Sequence, residues 1–124
     1  MNKILIVDDS YAMRKIIMRV LRQTGLEIDG FAEAANGVEG LSTLEMNPEV
    51  DLVISDINMP QMDGIAFVKA IRNQHDKGDL PVLMISNEPA SSLVQAAIEL
   101  GANGSLEKPF TAEGLKGELL QYFG

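Results

Sequence analysis

Cysteine and tryptophan are both missing from these 124 residues. Without thiols there is neither a disulfide framework nor a thiolate metal site, which fits a reducing compartment. Cations are scarce as well: ten Lys and Arg stand against 18 Asp and Glu, for a net charge of −8. Phosphate backbones are bound through clustered Lys and Arg, so nucleic acid is excluded as a partner. Anionic lipid surfaces repel an acidic body, which leaves proteins or cations. Long apolar runs are lacking too. The stretch Ile4-Leu5-Ile6-Val7 stops at Asp8-Asp9, short of the roughly 7–15 residues of a signal-peptide core. No segment approaches the roughly 18 apolar residues of a membrane span. The expectation is a cytoplasmic protein without a membrane anchor.

What is present reads as one ordinary globular domain over residues 1–124, with 46% apolar and 23% charged residues. Two apolar patterns alternate along it. Continuous short runs at Ile4 to Val7, Leu52 to Ile54 and Val82 to Ile85 suit strands buried on both faces of a parallel sheet. Helical spacing follows each run. Met13, Ile16, Ile17, Val20 and Leu21 define a first helix, with Ser10 as N-cap and Gly25 as stop. Val38, Leu41 and Leu44 define a second helix after the Asn36-Gly37 turn, and Ile65, Val68 and Ile71 a third. Leu93, Ala96, Ala97 and Leu100, closed by Gly101, define a fourth; Leu115, Leu119 and Phe123 define a fifth. Two more polar strands, at Ile28 to Ala34 and Gly104 to Glu107, read as sheet edges. The predicted fold is α/β: a five-stranded parallel sheet with five helices on both faces, flavodoxin-like, in strand order 2-1-3-4-5.

In such sheets the site lies beyond the carboxyl ends of the strands, where strand order reverses. That point falls between the first and third strands, which end in Asp8-Asp9 and Asp56. The fourth strand ends at Ser86 and the fifth at Lys108, so a hydroxyl and an ammonium flank the same rim. Singly, each residue reads as a cap or a solvated charge; four strand ends bearing acid, acid, hydroxyl and cation do not. Clustered carboxylates raise one another's pKa unless a cation neutralises them. They therefore imply Mg²⁺ or another divalent ion, a lysine, or both, and all-oxygen ligands with open positions suit Mg²⁺.

Five segments at these positions resemble the signature blocks of the receiver family of two-component response regulators: Ile6-Val7-Asp8-Asp9-Ser10, Ser55-Asp56-Ile57-Asn58-Met59-Pro60, Met62-Asp63-Gly64, Leu80 to Ser86, and Glu107-Lys108-Pro109-Phe110. Their order and spacing match over essentially the whole chain. Within the family, Met13-Arg14, Asn58-Met59-Pro60 and Leu80 to Ser86 are most similar to chemotaxis regulators of the CheY type. The resemblance implies that Asp56 takes a phosphoryl group from a sensor histidine kinase or phosphotransfer protein. It implies that Asp9, Asp56 and the carbonyl of Asn58 hold Mg²⁺, with Asp8 acting partly through water. Lys108 would pair with one phosphoryl oxygen and Ser86 would bond another and draw its loop inward. It also implies a cis peptide at Lys108-Pro109, and an output target on the face of the fourth helix, fifth strand and fifth helix. Such a protein catalyses only its own phosphorylation and dephosphorylation.

The match has departures. Ser105 stands where many receivers carry the Tyr or Phe that swings inward with the Ser or Thr, which puts coupling to the output face in doubt. Asn87 occupies a usually small position beside the pocket and is expected to screen Asp56. Asn58 and Glu88 match the chemotaxis type at positions that tune phosphoryl lifetime. Other residues read as structural: His75 at the end of the third helix, Met59 and Met62 as packing, and Glu33, Glu39, Glu45 and Glu49 as a solvated acidic face.

Within a receiver, chemotaxis output, phosphorelay intermediate and phosphate sink all remain open. A different class, the haloacid-dehalogenase phosphohydrolases, also uses a strand-end Asp, a Ser or Thr and a Lys. It wants a second acid two residues after the nucleophile, where this chain has Asn58, and Asp8-Asp9 lie on the wrong strand for it. A flavodoxin is set aside, because Asp8-Asp9 would repel the phosphate of FMN.

Overall fold

The computed structural model describes residues 3–57, 59, 62–76, 78–86, 92–108 and 110–123, with side chains in the last helix as far as Gln121. Strands and helices alternate throughout: β1 Lys3–Val7, α1 Tyr11–Gln23, β2 Gly30–Ala34, α2 Gly37–Met46, β3 Val50–Asp56, α3 Gly64–Arg72, β4 Val82–Ser86, α4 Ser92–Glu99, β5 Gly104–Glu107 and α5 Ala112–Phe123. The five strands form one parallel sheet in the order β2-β1-β3-β4-β5, as the sequence pattern predicts.

Ile4 to Val7 and Leu52 to Ile54 are wholly buried because both faces of the central strands are covered. On one face Leu5, Val7, Val53 and Met84 pack with Leu44 of α2, Phe67, Val68 and Ile71 of α3, and Val94 and Ala97 of α4. On the other, Ile4, Ile6, Ile54 and Ile85 pack with Ile17 and Leu21 of α1 and Leu115 and Leu119 of α5. The period of two along each strand thus splits one apolar run between two cores.

Caps set the helix ends. The Ser10 hydroxyl accepts from the Met13 N–H, the Asn36 side chain from the Glu39 N–H, and the Asp63 side chain from the Ala66 N–H, all three on extended backbone. After α1, Gly25 takes the left-handed conformation, at φ +77, that a side chain would resist.

Three sequence expectations need correction. β2 begins at Gly30, not Ile28. Ile16 keeps 40% of its surface exposed, so the buried stripe of α1 is the narrower Ile17 and Leu21 line, and Val38 of α2 keeps 49% while Leu44 is buried. The acidic face is not uniformly solvated. Glu33 is gripped by Arg14 and Lys15 at 3.0 and 2.8 Å. Glu39 reaches back to the Ala35 N–H at the start of α2, and Glu49 pairs with Lys3 at 2.7 Å. Met59 and Met62 do pack on the core. His75 lies just past α3, where its carbonyl accepts from Arg72. Among the described residues no helix is long and apolar enough to cross a membrane.

Candidate functional site

Strand register explains why the acids meet. β1 and β3 are neighbours with Val7 opposite Ser55, so the next residues out, Asp8 and Asp56, leave the sheet side by side. Adjacent strands lie only about 4.8 Å apart, so two carboxylates there face one another directly. Asp56 is in register with Ile85, and Ser86 ends β4 one residue further on, 5% exposed. β5 completes the rim: Glu107 pairs with Ser86, and the Lys108 N–H donates to the Ser86 carbonyl at 2.8 Å. That bond holds the Lys108 backbone on the rim at the end of β4.

Lys108 Nζ sits 3.4 Å from Asp8 Oδ2 and 3.3 Å from Asp56 Oδ1. All three side chains are at most 13% exposed, so the ammonium bridges two carboxylates in a largely water-excluded place. Asp8 is fixed further by a 2.9 Å bond from the Ser10 N–H to its Oδ1. Asp56 Oδ1 also accepts from the Ile57 N–H at 2.9 Å. Among the described residues no donor reaches Asp56 Oδ2. Burial raises the pKa of the Asp56 carboxyl above its usual range; Lys108 opposes that rise and the charge of Asp8 adds to it.

Asp9 is exposed. Carboxylate oxygens of Asp8, Asp9 and Asp56 nevertheless lie within 4.8 Å of one another. Mg²⁺ takes oxygen ligands at about 2.1 Å, so two oxygens on one ion stand at most about 4.2 Å apart. The cluster meets that limit with a sub-ångström closure or with one water interposed, which Mg²⁺ keeps readily. The donor set therefore fits the ion.

Of the residues singled out from sequence, the structure gathers Asp8, Asp9, Asp56 and Lys108, and places Ser86 on the same rim. Ser105 is in register with Met84, on the face shared with Ser86 but two positions deeper, and is partly buried. Asn58, Asn87, Glu88 and the peptide at Pro109 lie outside the described residues. Two residues that the sequence offers only as parts of motifs, Gly64 and Arg14, gain roles in the structure. Gly64 donates its N–H to the Ile57 carbonyl at 2.7 Å, and a Cβ there would come within 2.6 Å of the Asp56 carbonyl oxygen. Arg14 donates to the Asp8 carbonyl at 2.7 Å. The Asp63-Gly64 pair marks a helix start, but no local pattern announces a bond from α1 back to Asp8.

A parallel five-stranded sheet with three acids at its switch point and a lysine across from them defines a phosphorylation-type signalling domain. The chain belongs to the response regulator receiver domain family, whose profile matches residues 4–120. It is homologous to CheY chemotaxis response regulators. A chemotaxis protein CheY homolog of Campylobacter jejuni is 38% identical over 122 residues, covering 98% of this chain and 92% of that one. A chain in a crystal structure of the CheX-CheY-BeF3-Mg+2 complex from Borrelia burgdorferi matches with a TM-score of 0.85, at 29% identity, over 99% of this chain and 90% of that one. A probable two-component system response regulator/GGDEF domain protein gives a TM-score of 0.87 at 34% identity; this chain spans 98% of its own length but 49% of that protein. Receiver domains generally bind Mg²⁺ at an acidic pocket, and Asp8, Asp9 and Asp56 form such an acidic cluster among the described residues. CheY-type response regulators are generally non-enzymatic signalling proteins, and the haloacid-dehalogenase reading is not favoured.

Proposed function

We propose that Asp56 is the phosphoacceptor of a single receiver domain over residues 1–124, charged by a histidine kinase or phosphotransfer protein in the cytoplasm. The observation that carries this reading is the Lys108 ammonium held 3.3 Å from Asp56 Oδ1, while Asp56 Oδ2 has no donor among the described residues. An Asp56 carboxylate oxygen attacks phosphorus. The bond from phosphorus to the donor's imidazole nitrogen breaks, and the imidazole leaves with its electron pair and takes up a proton. Such transfers need positioning and neutralisation of the equatorial oxygens more than covalent help. Mg²⁺, held by Asp9, Asp56 and the Asn58 carbonyl, with Asp8 acting partly through water, would neutralise phosphoryl oxygens from one side. Lys108 does so from the other, and the Ser86 hydroxyl bonds a third.

The product favours one conformer, and a protein partner that prefers the same conformer reads the signal. The face of α4, β5 and α5 is the proposed reading surface. Because Ser105 offers no aromatic ring to swing inward, coupling runs through the backbone, by the bond from Lys108 to Ser86 and the pairing of β4 with β5. Lifetime and access fall to Asn58, Asn87 and Glu88.

Incubation with Mg²⁺ and acetyl phosphate tests the chemistry. A phosphoryl mass increment is expected on the parent and not on Asp56→Asn. A parent that stays unlabelled at saturating donor and Mg²⁺ sinks the proposal.

A further inference from the structure

Helix α1 breaks a simple electrostatic preference. Acids are favoured in the first turn of a helix, where the macrodipole is positive. This helix has none there and carries Arg14 and Lys15 at its fourth and fifth positions instead. The two cations are spent differently. Lys15 Nζ binds Glu33 Oε2 at 2.8 Å and lies 4.9 Å from the centre of the Tyr11 ring. Arg14 binds Glu33 Oε1 through Nε at 3.0 Å and turns Nη1 onto the Asp8 carbonyl at 2.7 Å. Its side chain is 14% exposed, so the fork is held in place by packing as well as by charge.

The Asp8 carbonyl belongs to the peptide that joins Asp8 to Asp9. The Asp8 N–H is already fixed by the Ala34 carbonyl at 3.1 Å, and its side chain by Ser10 and Lys108. Arg14 supplies the remaining constraint, on the plane of the next peptide. Asp9 depends on that plane. Its carboxylate is exposed and receives no hydrogen bond among the described residues, so the backbone, which sets the direction of the Cα–Cβ bond, is what constrains it.

We infer that Arg14, braced by Glu33 on β2, is a positioning residue that orients Asp9 for Mg²⁺ by clamping the Asp8–Asp9 peptide. The inference rests on the acidic pocket being the Mg²⁺ site. Its signature is a sign. Arg14 is a cation near a cation site, so Coulomb's law alone makes its removal tighten Mg²⁺ binding. Loss of positioning loosens it. Residues that orient metal ligands contribute roughly tenfold or more in affinity, which exceeds the effect of one partly screened charge.

Mg²⁺ titrations of the unphosphorylated protein, followed by amide chemical shifts at constant ionic strength, decide between them. Arg14→Gln is expected to weaken Mg²⁺ binding roughly tenfold. Lys15→Gln removes the same charge from the same Glu33 without touching Asp8, and is expected to tighten binding slightly. Arg14→Lys keeps the charge but cannot span both acceptors, so it too is expected to weaken binding; it carries the test if Arg14→Gln fails to melt cooperatively. Arg14 variants that bind Mg²⁺ as tightly as the parent or Lys15→Gln overturn the inference and leave the phosphoacceptor reading standing. A parent that binds no Mg²⁺ at millimolar concentrations overturns both.

Discussion

The ammonium of Lys108 stands 3.3 Å from Oδ1 of Asp56, with both side chains largely shielded from water. Burial pushes the Asp56 pKa up, Lys108 is the larger of the influences that hold it down, and Asp8 pushes it further up. Lys108→Gln removes the restraint and leaves the other two. The carboxyl titration of Asp56, followed by carbon NMR without Mg²⁺, is therefore expected to move to higher pH. A hydrogen bond to a charged group contributes about 1.5–3 kcal/mol, so labelling by acetyl phosphate should slow by roughly 10- to 100-fold. An unmoved titration would mean that the contact is not formed in solution.

The same raised pKa makes Asp56 a burden on the folded state. A carboxyl whose folded pKa exceeds its unfolded value binds its proton more tightly when folded. Below the unfolded value, near 3.8, the group is neutral in both states and costs nothing. The cost grows as pH rises through that value and is complete above the folded pKa. Asp56→Asn should therefore be more stable than the parent at pH 7 without Mg²⁺, by a few degrees in Tm, and the gain should vanish near pH 3. Equal melting temperatures at pH 7 would contradict the assignment of burial as the dominant cause.

That burden illustrates what the sequence can and cannot disclose. Three apolar runs ending in Asp8-Asp9, Asp56 and Ser86 were enough to imply the sheet and the position of the site, because a period of two and a topological switch point are properties of pattern alone. The gathering of Asp8 and Asp56 needed one more fact, the register of Val7 on Ser55, which no local pattern specifies. The surface of α1 was misread for a related reason. Ile16 fits the apolar spacing as well as Ile17 does, and only the packing of α1 against the sheet and α5 decides which of them is covered. Glu33 looked like one more solvated acid because its partners lie 18 and 19 residues away, across a crossover.

Gly64 tests how closely α3 must approach the phosphoacceptor strand. The Cβ of an alanine would sit 2.6 Å from the Asp56 carbonyl oxygen and 2.7 Å from the Ile57 Cα, both of them backbone atoms with little room to yield. Overpacking of this kind costs about 1–3 kcal/mol. Gly64→Ala is expected to lower Tm by several degrees and, by displacing the Asp56 backbone, to slow labelling by acetyl phosphate. Gly117 lies in α5, where an added Cβ meets nothing within 4 Å, so Gly117→Ala makes the matching control and should not destabilise. If Gly64→Ala melts with that control, the close approach is relaxed in solution.

Asp9 separates metal binding from folding most cleanly. It is exposed in the loop after β1, and no described residue hydrogen-bonds its side chain, so Asp9→Asn should leave the metal-free Tm unchanged within about a degree. Mg²⁺ binds the folded cluster and not the dispersed acids of the unfolded chain. At ten times its Kd it should therefore stabilise the parent by about 1.4 kcal/mol, an increment that EDTA abolishes. The variant replaces one carboxylate of the three with an amide oxygen, which carries no charge to attract a hard cation. Its Mg²⁺-dependent rise in Tm is expected to shrink to a small fraction of the parent's at the same concentration. Because Asp8 and Asp56 keep Lys108 between them in either protein, a full rise in the variant would mean that the ion binds somewhere other than this cluster.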